Sequence, residues 1–125
     1  MHSITASIAV PNAREAADFY AAAFGGKLAE YIKTEAGCVH AQIKITSHTS
    51  IYVSDTPERS SGSQIRLSVA LHDLDETRKL FEALSLSGEV ITALHKPDWA
   101  ELYGELRDRY GVVWSLDCGM GEDIP

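Results

Sequence analysis

The sequence predicts an α+β fold in which two tandem βαβββ modules form one continuous half-barrel. Three observations predict it: a strand-turn-helix segment occurs twice at a fixed spacing, strands with period-two alternation follow each helix, and a polar stretch separates the two copies. Val10, Asn12, Phe19 and Tyr20 match Leu71, Asp73, Leu80 and Phe81 at a constant spacing of 61 residues. Constant spacing with matching chemistry argues for an internal duplication.

The first copy, IAVPNAREAADFYAAAFGG, runs from a strand ending at Val10 through a Pro-Asn turn into a helix. Glu15 lies in the first turn, Ala16, Phe19, Tyr20 and Ala23 form the apolar face, and Gly25-Gly26 supply the stop. The second copy, VALHDLDETRKLFEALSLSG, gives a strand ending near Leu71 and a turn at Asp73. Its helix carries Leu74, Thr77, Leu80, Phe81 and Leu84 on one side, with Gly88 beyond its end. Val39 to Ile45 alternates Val39, Ala41, Ile43 and Ile45 against His40, Gln42 and Lys44, and residues 50–55 place Ile51 and Val53 against Tyr52 and Ser54. Val90 to Leu94, Leu102 to Leu106 and Val112 to Asp117 read as the strands of the second copy. Module one spans about residues 1–55, a Pro-, Ser- and Gly-bearing linker about 56–63, and module two about 64–118, with a short C-terminal tail.

Composition narrows the function classes. A chain of 125 residues, 45% hydrophobic, suits one domain, and it has no apolar run near the ~20 residues of a bilayer span. A formal net charge of -7, with no cluster of Lys and Arg among aromatics, argues against nucleic acid as a partner. The start, MHSITASIAV, lacks the basic region of a secretory signal, so a cytoplasmic location is expected. Cys38 and Cys118 are too far apart in sequence for a metal knuckle or a redox pair and are expected to be reduced and partly buried.

The order FYAAAFGG, HAQIKI, SIYVSD, LHDLDETRKLFEAL and WAELYGELRDRYGVVWSL resembles the PhnB-like branch of the vicinal oxygen chelate superfamily, over nearly the whole chain. That superfamily includes glyoxalase I, bleomycin resistance proteins and extradiol dioxygenases. Trp99, Tyr103, Gly104, Asp108, Tyr110, Gly111 and Trp114 stand at the places of its C-terminal pattern. Ala100 replaces a Gly of the pattern and Arg109 a Pro, a departure that bears on the rigidity of that turn and not on the fold.

The resemblance implies the glyoxalase/bleomycin resistance/dioxygenase fold, pairing into a homodimer, and a divalent metal held by one His or Glu on each of four strands. The corresponding positions fall on Thr5, on Tyr52 or Ser54, on Arg66 (Gln64 if the register slips) and on Ser115. None is His, Asp, Glu or Cys, and a guanidinium repels a cation. No metal site and no cofactor are expected, although neutral oxygens at Thr5, Ser54 and Gln64 leave weak adventitious binding open.

Function has to be read from the site, because one scaffold of this kind hosts unrelated chemistries. Alternation sends Thr5, Ser7, His40, Gln42, Lys44, Tyr52, Arg66 and Ser115 to the concave side, with Trp99 and Tyr103 near the mouth. Such a cavity suits a small polar or anionic molecule. His40 is either a cross-strand hydrogen-bonding partner or, as the candidate catalytic residue, a general base. Arg66 either meets the ligand or pairs with a carboxylate, and Trp99 either lines the pocket or caps a core or dimer seam. Tyr103 faces ligand or solvent, whereas Trp114 belongs to the core. His2, His48, His72 and His95 have no ligand-like spacing and are expected to be solvated. The expectation is a metal-independent small-molecule binding protein; the alternative is a lyase, isomerase or dioxygenase-like enzyme, metal-dependent or using His40 as base. Methyl transfer is not expected, since no Gly-rich loop follows a strand.

Overall fold

Asn12 and Asp73, matched residues of the repeat, each cap a helix. The Asn12 side chain accepts from the Glu15 amide at 3.2 Å, and Asp73 accepts from the amides of Asp75 at 2.8 Å and Glu76 at 3.1 Å. These bonds satisfy amides that a first helical turn leaves without intrahelical partners. Helices α1 (Ala13–Phe24) and α2 (Leu74–Ser85) follow, and Gly25 ends the first in the left-handed conformation with φ 68°. The computed structural model describes residues 5–35, 37, 39–55 and 65–119, and the chain divides into two units, Met1–Arg59 and Ser60–Pro125. His2, Cys38, Gln64, the linker at 56–63 and the C-terminal tail from 120 lie outside the described residues.

In the first unit, β1 (Ala6–Val10), β2 (Lys27–Lys33), β3 (Val39–Lys44) and β4 (Ser50–Asp55) form a sheet in the order β1-β4-β3-β2. β1 runs parallel to β4 and the other pairs are antiparallel. Alternation decides the faces: Ile8, Val10, Val39, Ala41, Ile43, Ile51 and Val53 are buried, as are Ala13, Ala16, Ala17 and Tyr20 of α1. The seam of α1 therefore lies three positions earlier than the sequence predicts, and Phe19 and Ala23 lie at its margin, half-buried. β3 stops at Lys44 rather than Ile45, whose amide already turns to the Thr49 carbonyl at 2.9 Å. β2 has no buried face at all, and a register shift between Leu28 and Glu30 breaks its alternation.

Asp55 ties three elements of this unit together. Its carboxylate accepts from the amides of Ala13 and Val39, each at 2.7 Å, joining the end of β4 to the starts of α1 and β3. These bonds, Ala13 first, hold the carboxyl below its ordinary range. A depressed carboxylate stabilises the fold above its unfolded pKa of about 3.9 and loses that contribution as pH falls through the lower folded value. Asp55→Asn is expected to cost about 1 kcal/mol at neutral pH, with the gap to wild type closing below about pH 4. Urea unfolding followed by circular dichroism at several pH values checks this, and a gap that does not change with pH counts against the charge.

The second unit repeats the plan with β5 (Arg66–Leu71), β6 (Glu89–His95), β7 (Leu102–Arg107) and β8 (Val113–Cys118), ordered β5-β8-β7-β6. β5 and β8 are parallel and the remaining pairs antiparallel. Leu71, Leu102, Leu106, Trp114, Leu116 and Cys118 are buried, together with Thr77, Leu80, Phe81 and Leu84 of α2. Trp114 thus belongs to the core as its alternation with Ser115 predicts, and Cys118 is a buried free thiol. Leu74 departs from the expected apolar side and is exposed, since it opens the first turn of α2. No helix among the described residues is long and apolar enough to cross a membrane.

Between β7 and β8 the chain turns on Asp108, which is buried. Its Oδ1 accepts from the amides of Tyr110 at 2.9 Å and Val112 at 3.0 Å, and its Oδ2 accepts from Trp114 Nε1 at 2.8 Å. Gly111, with φ 90°, completes the turn by donating to the Asp108 carbonyl at 3.0 Å. These bonds tie the turn at Arg109 to the start of β8.

Candidate functional site

Each sheet carries its helix on one face; the opposite face is exposed in the first unit, while in the second it includes the buried Ser115 and Asp117. On the open face of the first unit, strand pairing sets Ser7, Tyr52, Gln42 and Glu30 in one cross-strand row and Ala9, Ser54, His40 and Ile32 in the next. Thr5 precedes β1 and is exposed, with the same alternation as Ser7. His40 Nδ1 and Ser54 Oγ are hydrogen-bonded at 3.0 Å, and Gln42 Nε2 donates to Ser50 Oγ at 3.3 Å. The face is open: His40 and Ser7 are exposed and Tyr52 is 39% exposed. His40 therefore has a cross-strand hydrogen-bonding partner in Ser54.

The corresponding face of the second unit is denser. Pairing aligns Ser68, Ser115, Glu105 and Thr92 in one row, with Asp117 and Tyr103 paired in the next beside His95. Ser68 and Ser115 share a hydrogen bond at 2.8 Å, which occupies the Ser115 hydroxyl that the sequence offers to a ligand. Arg66 Nη1 meets Glu105 Oε1 at 3.2 Å, and the other oxygen of Glu105 accepts a short hydrogen bond from the Tyr103 hydroxyl. Burial, then this bond to Glu105, pushes the Tyr103 phenol up to about 12. The Tyr103 hydroxyl acts as a donor to Glu105.

Trp99 sits in the loop before β7 with its ring edge-to-face on Tyr103, the centroids 4.7 Å apart, and His95 meets the same tyrosine at 6.1 Å. Thus Arg66, Tyr103, Ser115 and Trp99 come together in the second unit, and Ser7, His40, Gln42 and Tyr52 share a face of the first. Glu105, Asp117 and Ser68 are absent from the sequence candidates, although each stands two residues from one of them. Period two, carried on from Tyr103, Ser115 and Arg66, reaches all three.

Known families and structures can be set beside this geometry. Residues 2–116 match the Glyoxalase/Bleomycin resistance protein/Dioxygenase superfamily. The chain belongs to this superfamily. An uncharacterized protein of Mycobacterium bovis is 27% identical over 123 residues, covering 91% of this chain and 81% of its own. A PhnB protein from Bacillus cereus superposes with a TM-score of 0.81 at 22% identity, over 94% of this chain and 100% of that one. The fosfomycin resistance protein FosX from Listeria monocytogenes, solved with Mn(II) and a dihydroxypropylphosphonic acid, gives 0.75 at 11% identity, over 98% and 96% of the two chains. At these identities the structural likeness speaks for the fold.

A divalent metal of the glyoxalase kind finds no matching donor set here. The four strand positions carry Thr5, Tyr52 or Ser54, Arg66 and Ser115; their neutral hydroxyls and one guanidinium are poor ligands for such an ion. Among the described residues no group of three or more His, Cys, Asp or Glu side chains converges to hold one.

Proposed function

We propose that this glyoxalase-superfamily chain is a small-molecule binding protein that works in the PhnB-like manner without the superfamily's metal. The observation that carries the reading is the second unit's face away from its helix, where Arg66, Glu105, Tyr103, Ser68 and Ser115 form a hydrogen-bonded polar surface beside an exposed tryptophan. Few well-placed polar groups next to aromatic rings are the usual make-up of a small-ligand site. A polar ligand is favoured over a simple anion, because the Arg66 guanidinium already has a carboxylate partner. A homodimer in which the modules complete a half-barrel accords with exposed Leu28, Tyr31 and Ile32 on edge strand β2 and Val90 and Ile91 on edge strand β6.

The test is elemental analysis of the purified protein after incubation with nickel, zinc, manganese or iron(II) and desalting, with analytical ultracentrifugation on the same samples. The expected result is no stoichiometric metal and a dimer. Retained metal at one ion per chain would move the protein to the metalloenzymes of the superfamily. A second reading, His40 as general base of a lyase or isomerase, draws on the Ser54 bond that fixes its ring; it requires turnover that Ser54→Ala weakens.

A further inference from the structure

At one end of the first unit's open face, strand pairing sets two lysines side by side. Lys27 of β2 lies directly opposite Lys44 of β3, Lys44 lies opposite Ser50 of β4, and Thr5 continues the register that sets Ala6 against Ile51. Like charges directly opposite one another in a sheet are destabilising. The approach is close: a Cβ on Gly26 would lie 2.8 Å from the Lys44 carbonyl oxygen, so the two lysines start from backbones in contact. Both side chains are exposed, and neither has an ion pair or a hydrogen bond to any described residue. Glu30 stands one row away, across from Gln42. The hydroxyl of Ser50 already accepts from Gln42 Nε2 at 3.3 Å, which leaves its own proton to give. Lys27, Lys44, Ser50 and Thr5 thus form a row with donors to offer, two positive charges and no acid, on a chain whose net charge is -7.

We propose that this row binds the phosphate head of a small phosphomonoester, with the ammonium groups of Lys27 and Lys44 and the hydroxyls of Ser50 and Thr5 on its oxygens and the body of the molecule against Tyr52. Two ammonium groups match the roughly two negative charges of a phosphomonoester at neutral pH better than the single charge of a carboxylate. Lysine meets phosphate as a point charge, and its bonds to the oxygens are charge-assisted. Tyr52 stands in the adjoining row, 39% exposed, with no ring partner among the described residues, and its ring offers a flat apolar surface. An arriving dianion also relieves the repulsion between the lysines, a cost the empty row bears. The site lies wholly in the first unit and goes beyond the function proposed above, which rests on the polar surface of the second.

The experiment is a nuclear magnetic resonance titration of the full chain at neutral pH and low salt with phenyl phosphate, inorganic phosphate and phenol. Phenyl phosphate is expected to saturate, shifting Lys27, Lys44, Ser50 and Tyr52, roughly tenfold tighter than inorganic phosphate, with phenol weaker still. Lys27→Gln and Lys44→Gln are each expected to weaken phenyl phosphate roughly tenfold. Both should keep or raise the melting temperature of the free protein, since each ends the like-charge pair, and this separates loss of binding from loss of fold. Tyr52→Ala is expected to weaken phenyl phosphate but not inorganic phosphate. Lys33→Gln removes the same charge from the other face of β2, where position 33 pairs with the buried Val39, and is expected to bind like wild type. Equal weakening by Lys33→Gln would overturn the inference by reducing it to general charge attraction, as would no saturable binding of phenyl phosphate at millimolar concentration. Shifts confined to Arg66, Tyr103 and Trp99 would also overturn it and assign the anion to the second unit, leaving the small-molecule reading intact.

Discussion

Asp108→Ala is expected to cost about 3–5 kcal/mol, the largest loss of any single change on this surface turn. Three N–H groups spend their bonds on this one carboxylate: the amides of Tyr110 and Val112 and the indole of Trp114. The carboxylate is 3% exposed, so water does not readily replace it, and a buried donor deprived of its acceptor costs about 1–3 kcal/mol. Because Trp114 is itself part of the core, the loss reaches beyond the turn. A fall in melting temperature of about 10–20 °C follows for a chain of this size. Thermal unfolding read by tryptophan fluorescence measures it. Asp108→Asn, which keeps an acceptor for the two amides, is expected to lose less, and a loss under about 1 kcal/mol for the alanine variant would show that the turn is held elsewhere.

Gly88→Ala comes next in expected size. A Cβ at position 88 would stand 2.3 Å from the carbonyl oxygen of Arg107, the last residue of the strand that β6 joins, and 3.0 Å from the Cα of Asp108 just beyond it, both backbone atoms. Neither can rotate away, so β6 must shift in register or separate from β7, at about 1–3 kcal/mol or more. The first unit has the same close approach at Gly26, where a Cβ would lie 2.8 Å from the Lys44 carbonyl oxygen. Gly26→Ala is expected to cost less, since its gap is wider. Chemical denaturation of both variants orders the two, and equal stability of Gly88→Ala and wild type would contradict the packing seen here.

The helices and the interior strands are legible in the sequence because their signals are local. Asn12 and Asp73 announce caps, Gly25 a stop, and Val39, Ala41 and Ile43 a buried face with no help from distant residues. Strand β2 is illegible for a physical reason: it buries nothing, and a bulge sets Leu28 and Tyr31 out of phase. The candidate site is legible in part. That His40, Gln42, Tyr52, Arg66 and Ser115 lie on the sheet faces away from the helices follows from period two, whereas their partners do not. That Arg66 meets Glu105 or that Ser115 spends its hydroxyl on Ser68 depends on which strands lie side by side, and the parallel pairing of β5 with β8 is invisible to local pattern.

That same pairing governs the order in which a unit can assemble. The first strand of each unit lies against the last, so Ser68 finds Ser115 across 47 positions of chain. Helix and antiparallel meander involve near neighbours and form early, while the long closure has to wait until the final strand has left the ribosome. Until then β5 lacks its only ladder and β7 presents a bare edge to anything nearby. Cutting a unit short at either end would make such a stage permanent, leaving a molecule prone to aggregate through the edge that the missing strand should have closed.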